Sequence, residues 1–161
     1  MILNLVILAL VTLQRLGELW LSNRNTKRLL AQGAREHAPG HYPLIVALHI
    51  AWLAVLWWLA PQRPIRDFWL AAFILIEIAR IWVFISLGPR WTTRIIVLAD
   101  EPLVRRGPYR FVDHPNYLVV VAEIAVLPLV FGLWQTALVF SILNAAVLSI
   151  RIRAENRALG R

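Results

Sequence analysis

The chain has 161 residues, 60% of them hydrophobic, with a mean hydropathy of +0.65, a formal charge of +8 and no cysteine. Soluble domains sit nearer about 45–50% apolar, so this sequence carries more apolar surface than a core of its size can hide. The missing cysteines exclude disulfides and thiolate metal sites. The basic residues lie in clusters between apolar runs, which suits a membrane surface and argues against a nucleic-acid partner.

In chain order, the first run covers residues 1–21 and is apolar until Gln14, Arg15 and Glu18. It lacks a basic leader and a small-residue cleavage site, so a cleaved signal peptide is not expected. Residues 42–60 form a second run, with His49 its strongly polar member. A third, 67–87, holds Glu77 and Arg80. The fourth and fifth, 115–131 and 133–157, are separated by little more than Gly132. A spanning helix needs about 20 residues, and the fourth run is short. These runs predict an all-α integral membrane fold in one domain, 1–161, a bundle of five spans with a tight hairpin between helices four and five. The stretch 33–43 reads as a linker-like connection.

Orientation follows from the basic residues. Thirteen of the 17 Lys and Arg residues fall in the first connection, the 88–114 loop and the carboxyl-terminal tail, against Arg63 and Arg66 in the second connection. The positive-inside rule then places the amino terminus outside and the 88–114 loop and carboxyl terminus in the cytoplasm of a multi-pass plasma-membrane protein. Tryptophans near run ends (Trp20, Trp57, Trp58, Trp69, Trp91 and Trp134) suit an interfacial belt.

Three clusters offer chemistry. In the first, Gly107-Pro108 is a turn signal and His114-Pro115 a helix start, since proline is favoured at the first helical position. Such an end presents free N–H groups and a positive dipole, a site for a carboxylate or phosphate. His114 and Tyr117 share one face of its first turn; a plain capped helix at a basic surface accounts for the same residues. In the second, Asn144, Arg151 and Glu155 fall within a narrow arc of one helix. That stripe can hold a polar ligand or be an exposed ion pair. The third is the set of ionisable residues inside runs. Arg15 with Glu18, and Glu77 with Arg80, are three apart and suit pairing. Glu123 has no partner on its own helix and can reach a ligand or one of those arginines. His49 reads as a helix-contact residue. No dinucleotide, Walker, nucleophile-elbow or metal-ligand motif is present.

The stretch Arg106-Gly107-Pro108-Tyr109 followed by His114-Pro115-Asn116-Tyr117, with Arg151-Ile152-Arg153-Ala154-Glu155-Asn156, resembles the signature of the isoprenylcysteine carboxyl methyltransferase family. The resemblance covers about Trp91 to Leu159; the earlier helices match in hydropathy alone. Asp113 departs from the arginine usual before His-Pro, Asn156 from a second glutamate, and Val119 from a glycine. Within the family the sequence is similar to the small bacterial branch that accompanies type III polyketide synthases. The resemblance implies an S-adenosylmethionine-dependent O-methyltransferase with no metal. Its acceptor is expected to be lipid-like and to enter from the bilayer, a long-chain alkylpyrone or alkylresorcinol. Carboxyl methylation of a prenylated cysteine, N-methylation of a phospholipid and a non-catalytic membrane scaffold are the alternatives. The cofactor residues it implies are Gly107, Pro108, Tyr109, His114, Pro115, Asn116, Tyr117, Glu123 and Asn144. Arg151, Glu155 and His114 are the catalytic ones.

Overall fold

In a computed structural model, which describes residues 1–98, 102 and 104–158, the chain is helical; Arg161, counted above, lies outside the described residues. The elements are α1 (Ile2–Ala31), β1 (Arg35–His37), α2 (Tyr42–Leu59), α3 (Asp67–Leu87), β2 (Ile95–Val97), α4 (Pro115–Val130) and α5 (Trp134–Ala158). Among the described residues, α1, α2, α3 and α5 are long and apolar enough to cross a membrane, and α4 is a shorter apolar helix. Leu8, Trp52, Leu56, Ile124, Leu127 and Phe131 pack a core shared by α1, α2, α4 and the turn after α4. Outside it, Leu10, Leu13, Trp58, Ile74, Ile81 and Ile142 stand exposed on four helices. Apolar surface of that extent needs a hydrocarbon solvent, and the protein is a multi-pass membrane protein.

Helix boundaries follow local chemistry. Gly88, at φ +54°, ends α3, a backbone conformation that a Cβ disfavours. Pro115 opens α4, where its missing N–H leaves nothing unpaired. At the opposite tip of α4, the Arg66 N–H donates to the Val130 carbonyl (2.8 Å), supplying a partner that the helix end lacks. The α1 helix runs ten residues past the apolar run. Beyond Leu21 it turns amphipathic, burying Ser22, Asn25, Thr26 and Leu29 and exposing Arg24, Lys27 and Arg28. A hydropathy reading stops at Leu21 because the mean polarity rises there; the helix continues because Ser22 and Asn25 have partners.

The partners lie in the 88–114 loop. The Asn25 amide donates to the Trp91 carbonyl (2.8 Å), and the Thr93 N–H donates to Ser22 Oγ (2.8 Å). The sequence also gave no sign of a short antiparallel ribbon, in which Arg35 pairs with Val97 and His37 with Ile95. It ties the first connection to the third, and α5 packs against both strands. The Arg-rich segments therefore share one end of the bundle. The other end holds the second connection, where the Asn4 amide donates to the Ala60 and Arg63 carbonyls (2.7 and 2.8 Å).

Candidate functional site

At the Arg-rich end a cavity of about 580 Å³ opens between the first turn of α4, the last turns of α5 and the loop. Its roof is fixed from α1 and α3. The Trp91 ring packs edge-on against Phe84 (4.5 Å between centroids) and reaches the Asn116 carboxamide (3.4 Å). Arg94 pairs with Glu36 (2.9 Å) and lies over the Tyr42 ring at 4.5 Å. Gly107 sits on the end of α3 at φ +57°, where a Cβ would collide with Ser86 Oγ and come within 3.1 Å of Trp82 Nε1. Next to it, Arg106 Nε donates to the Ser86 carbonyl (2.7 Å). That close approach is what the Gly-Pro turn supplies; Pro108 is buried there, and Tyr109 after it lines the cavity.

The structure brings the two sequence clusters together as one. His114 stacks on Tyr117 (5.3 Å, 20° between planes), and its Nε2 meets the Asn156 amide oxygen at 3.1 Å. The Tyr117 hydroxyl donates to the Glu155 carboxylate and accepts from Arg151 Nε at 2.7 Å. The Arg151 guanidinium also lies over the Tyr117 ring, at 5.3 Å. His114 Nδ1 stands 4.0 Å from the other Glu155 oxygen. Arg151 is buried, so this is no exposed ion pair. Burial pushes the Tyr109 phenol well above its ordinary value, and the Glu155 carboxylate adds to the shift; Tyr109 is a neutral hydroxyl here. His114 caps α4 without a side-chain bond to the helix, so its ring is committed to Tyr117, Asn156 and Glu155. The wall combines cations (Arg90, Arg94, Arg105, Arg110), aromatic rings (Trp91, Tyr109, Tyr117) and aliphatic groups (Leu87, Ile95).

Of the sequence-derived set, Gly107, Pro108 and Pro115 stand beside the chamber without lining it, and Glu123 and Asn144 lie elsewhere. Glu123 is in a buried charge network and lines neither this cavity nor the one described next. It binds Arg80 through both oxygens and also pairs with Arg15 (2.6 Å). Glu18 pairs with Arg15 (2.7 Å) and Arg80 (2.8 Å). The expected Arg15–Glu18 pair therefore forms, but Arg80 turns away from Glu77 on its own helix, and Glu77 accepts from the Gln14 amide (2.8 Å). Two carboxylates from two other helices neutralise Arg80 better than one neighbour does.

Asn144 lines a second, largely apolar cavity of about 240 Å³ enclosed by α1, α2, α4 and α5. Leu16, Ile50 and Leu53 of α1 and α2 stand at its wall, and the outer faces of Leu16 and Ile50 are exposed to the surroundings of the bundle. Trp91, Asn116, Tyr117 and Arg151 line both cavities, so these four form the wall between them. Reading the sequence put Trp91 in the interfacial belt, whereas it is buried in the roof of the chamber, and it passed over Ser22 and Asn25; their roles depend on a long-range contact that no local spacing encodes.

Fold and cavity together define a helical membrane protein with a basic, aromatic chamber at one end and an apolar one behind it. The chain belongs to the isoprenylcysteine carboxyl methyltransferase (ICMT) family, which residues 69–161 match. Membership points to a membrane methyltransferase. The chain is 40% identical over 160 residues to "Uncharacterized protein YpbQ" of Bacillus subtilis (strain 168), covering 96% of this chain and 95% of that one. It is 26% identical over 151 residues to an "Uncharacterized protein" of Haemophilus influenzae, covering 90% of this chain and 88% of that one. No solved structure matches it.

Proposed function

We propose that the protein transfers a methyl group from S-adenosylmethionine to an oxygen of a lipid-like acceptor, a long-chain alkylpyrone or alkylresorcinol. In this reading it is a bundle of five spans with the chamber facing the cytoplasm. The observation that carries the reading is the shared wall: a polar chamber and an apolar one meet at Asn116, Tyr117 and Arg151. A water-soluble donor and a membrane-soluble acceptor need that arrangement to react.

The residues present suit the cofactor. Its carboxylate fits the amino end of α4 and the surrounding arginines, and its purine fits the slot of Trp91, Leu87 and Ile95. When bound, the cofactor would supply an electrophilic methyl carbon on a sulfonium sulfur able to keep the electron pair of the C–S bond it gives up, so that transfer to the acceptor oxygen would need no further reagent. His114 and Tyr117 hold the cofactor end of the chamber. Arg151 holds the acceptor oxygen as its negative charge develops, and Glu155 takes the hydroxyl proton. Holding both reactants at the shared wall supplies several kcal/mol of the barrier through proximity alone, and exclusion of water by the apolar cavity strengthens the electrostatics.

His114→Ala is expected to weaken S-adenosylmethionine binding at least tenfold by calorimetry, with expression and helical content unchanged. Undiminished binding would remove the carry-over from the family. The basic chamber also suits a carboxylate acceptor, so turnover is measured with a pentadecyl resorcinol, an alkylpyrone and a farnesylated cysteine. A type III polyketide synthase encoded beside the gene would favour the first two.

A further inference from the structure

The second cavity is largely apolar, with several polar side chains in its lining besides those of the shared wall. Asn144 there is only 2% exposed, and its carboxamide makes no hydrogen bond among the described residues. A buried amide without partners costs on the order of 1–3 kcal/mol, so native proteins rarely leave one unless something occupies the space beside it. Two other helices bring groups to the same wall. His49 on α2 is bonded at Nδ1 to the Ile45 carbonyl (2.8 Å). A carbonyl accepts only, so Nδ1 carries the proton and a neutral imidazole is left with a lone pair on Nε2. Nothing among the described residues bonds that nitrogen, and His49 lines the cavity. Arg15 on α1 lines it too, with its Nε–H buried and unpaired. Helices α1, α2 and α5 thus converge on one apolar space with polar groups that the protein itself does not satisfy.

We propose that Asn144 and His49 read a second oxygen on the acceptor's head, a hydroxyl that is recognised and not methylated. The inference rests on the assignment of this cavity to the acceptor. A hydroxyl is the group that fits, because it gives its proton to His49 Nε2 and accepts from the Asn144 amide. A carboxylate offers no proton to Nε2, and a quaternary amine offers neither donor nor acceptor. Depth separates this oxygen from the reacting one. Asn144 lies two turns from Arg151, about 10 Å along the helix axis; less the reach of an arginine side chain, one ring spans the gap. The acceptor is therefore a ring bearing two hydroxyls, one at the Tyr117–Arg151 wall and one held by Asn144 and His49, with its alkyl chain leaving between α1 and α2 past Leu16 and Ile50; this selects the alkylresorcinol over the alkylpyrone, whose second exocyclic oxygen is a carbonyl. This moves Asn144 from the cofactor's set to the acceptor's.

The test compares pentadecylresorcinol with pentadecylphenol, which lacks one hydroxyl, binding each to the full-length protein in nanodiscs without cofactor and following tryptophan fluorescence. Wild type is expected to prefer the resorcinol about tenfold or more, since the phenol leaves buried polar groups unpaired. Asn144→Leu, close in volume, is expected to bind both alike, at the level wild type shows for the phenol. Its affinity for S-adenosylmethionine should stay within a few fold. His49→Phe keeps a ring beside Trp52 and should also lose most of the preference, which guards against a folding failure confined to the first variant. Retention of the preference in both variants would overturn the proposal, and loss of cofactor affinity in Asn144→Leu would return that residue to the cofactor's site. Failure of methyl transfer in wild type, with the binding preference intact, would overturn the enzymatic reading and leave the recognition site standing.

Discussion

Tyr117 is the pivot of the site. Its ring is covered by His114 on one side and approached by the Arg151 guanidinium, while its hydroxyl passes a hydrogen bond on to Glu155. Removing that oxygen alone, in Tyr117→Phe, leaves the stacking in place but strips one partner each from a buried guanidinium and a carboxylate. Hydrogen bonds to charged groups contribute about 1.5–3 kcal/mol. Turnover is therefore expected to fall about ten- to a hundredfold, with cofactor affinity less affected; equal kinetics in the two proteins would show the hydroxyl to be idle. Arg151→Lys should recover little, because an ammonium cannot present the planar donor that reaches the hydroxyl while the rest of the group faces the acceptor. Gly107 makes a different demand. Its φ of +57° and its contact with Ser86 leave no room for a methyl group. Gly107→Ala combines backbone strain of about 1 kcal/mol with a collision against α3, so it should lower the melting temperature and loosen the 88–114 loop. Proteolysis within that loop, compared with wild type, reads the effect directly.

Among the elements, α1, α3 and α4 are joined at mid-height by charge. Arg80 is 2% exposed and Glu123 1%, so both depend on the network for partners, Arg80 on Glu123 and Glu18, Glu123 on Arg80 and Arg15. Breaking a buried pair by removing one charge costs about 3–5 kcal/mol. Glu123→Gln is expected to destabilise the bundle by that order, whereas Glu77→Gln, whose partner is the neutral Gln14 amide, should cost far less. Thermal unfolding in detergent separates the two, and equal losses would show that the network is not what binds these helices. The contrast also marks what sequence can and cannot reveal. The apolar runs are legible because lipid and core impose the same demand on every residue of a span. The tail Ser22–Ala31 of α1 is not, since its helix is held by Trp91 and Thr93, some 66 to 71 residues away. The first-turn and Arg-x-x-x-Glu clusters were each visible through spacing, but their union was not. The Arg80–Glu77 pairing failed for the same reason: spacing along a helix proposes partners, and other helices outbid them once they pack. Glu123 had two readings open in the sequence, a ligand or an arginine, and packing selects the arginines.

At the scale of the whole molecule, the charge distribution and the contacts agree about which segments share an end. The first connection and the 88–114 loop are joined by the β1–β2 ribbon, and the end of α5 packs on that ribbon. The second connection lies at the opposite end with the start of α1 and the tip of α4, through Asn4 and Arg66. A soluble bundle would gain nothing from such a segregation of arginines. A membrane-inserted one does, because basic loops are retained on the cytoplasmic side during insertion. The proposed orientation would put the proposed donor chamber where a water-soluble cofactor is made. It also requires α4 to act as a span despite its 16 residues, which at about 1.5 Å per residue reach only some 24 Å. Local thinning of the bilayer or recession of its amino end into the chamber accommodates the difference at modest cost. In the proposed reading the site explains the shortness: the helix starts at His114, on the wall of the chamber and beneath the loop, and not at the membrane surface. The prediction concerns both ends together. A reporter joined after Arg161 should report the cytoplasm, and one inserted at Arg63 should report the outside. Both reporters on one side would mean an even number of crossings between them, so that one of α3, α4 and α5 does not span, which removes the five-span arrangement.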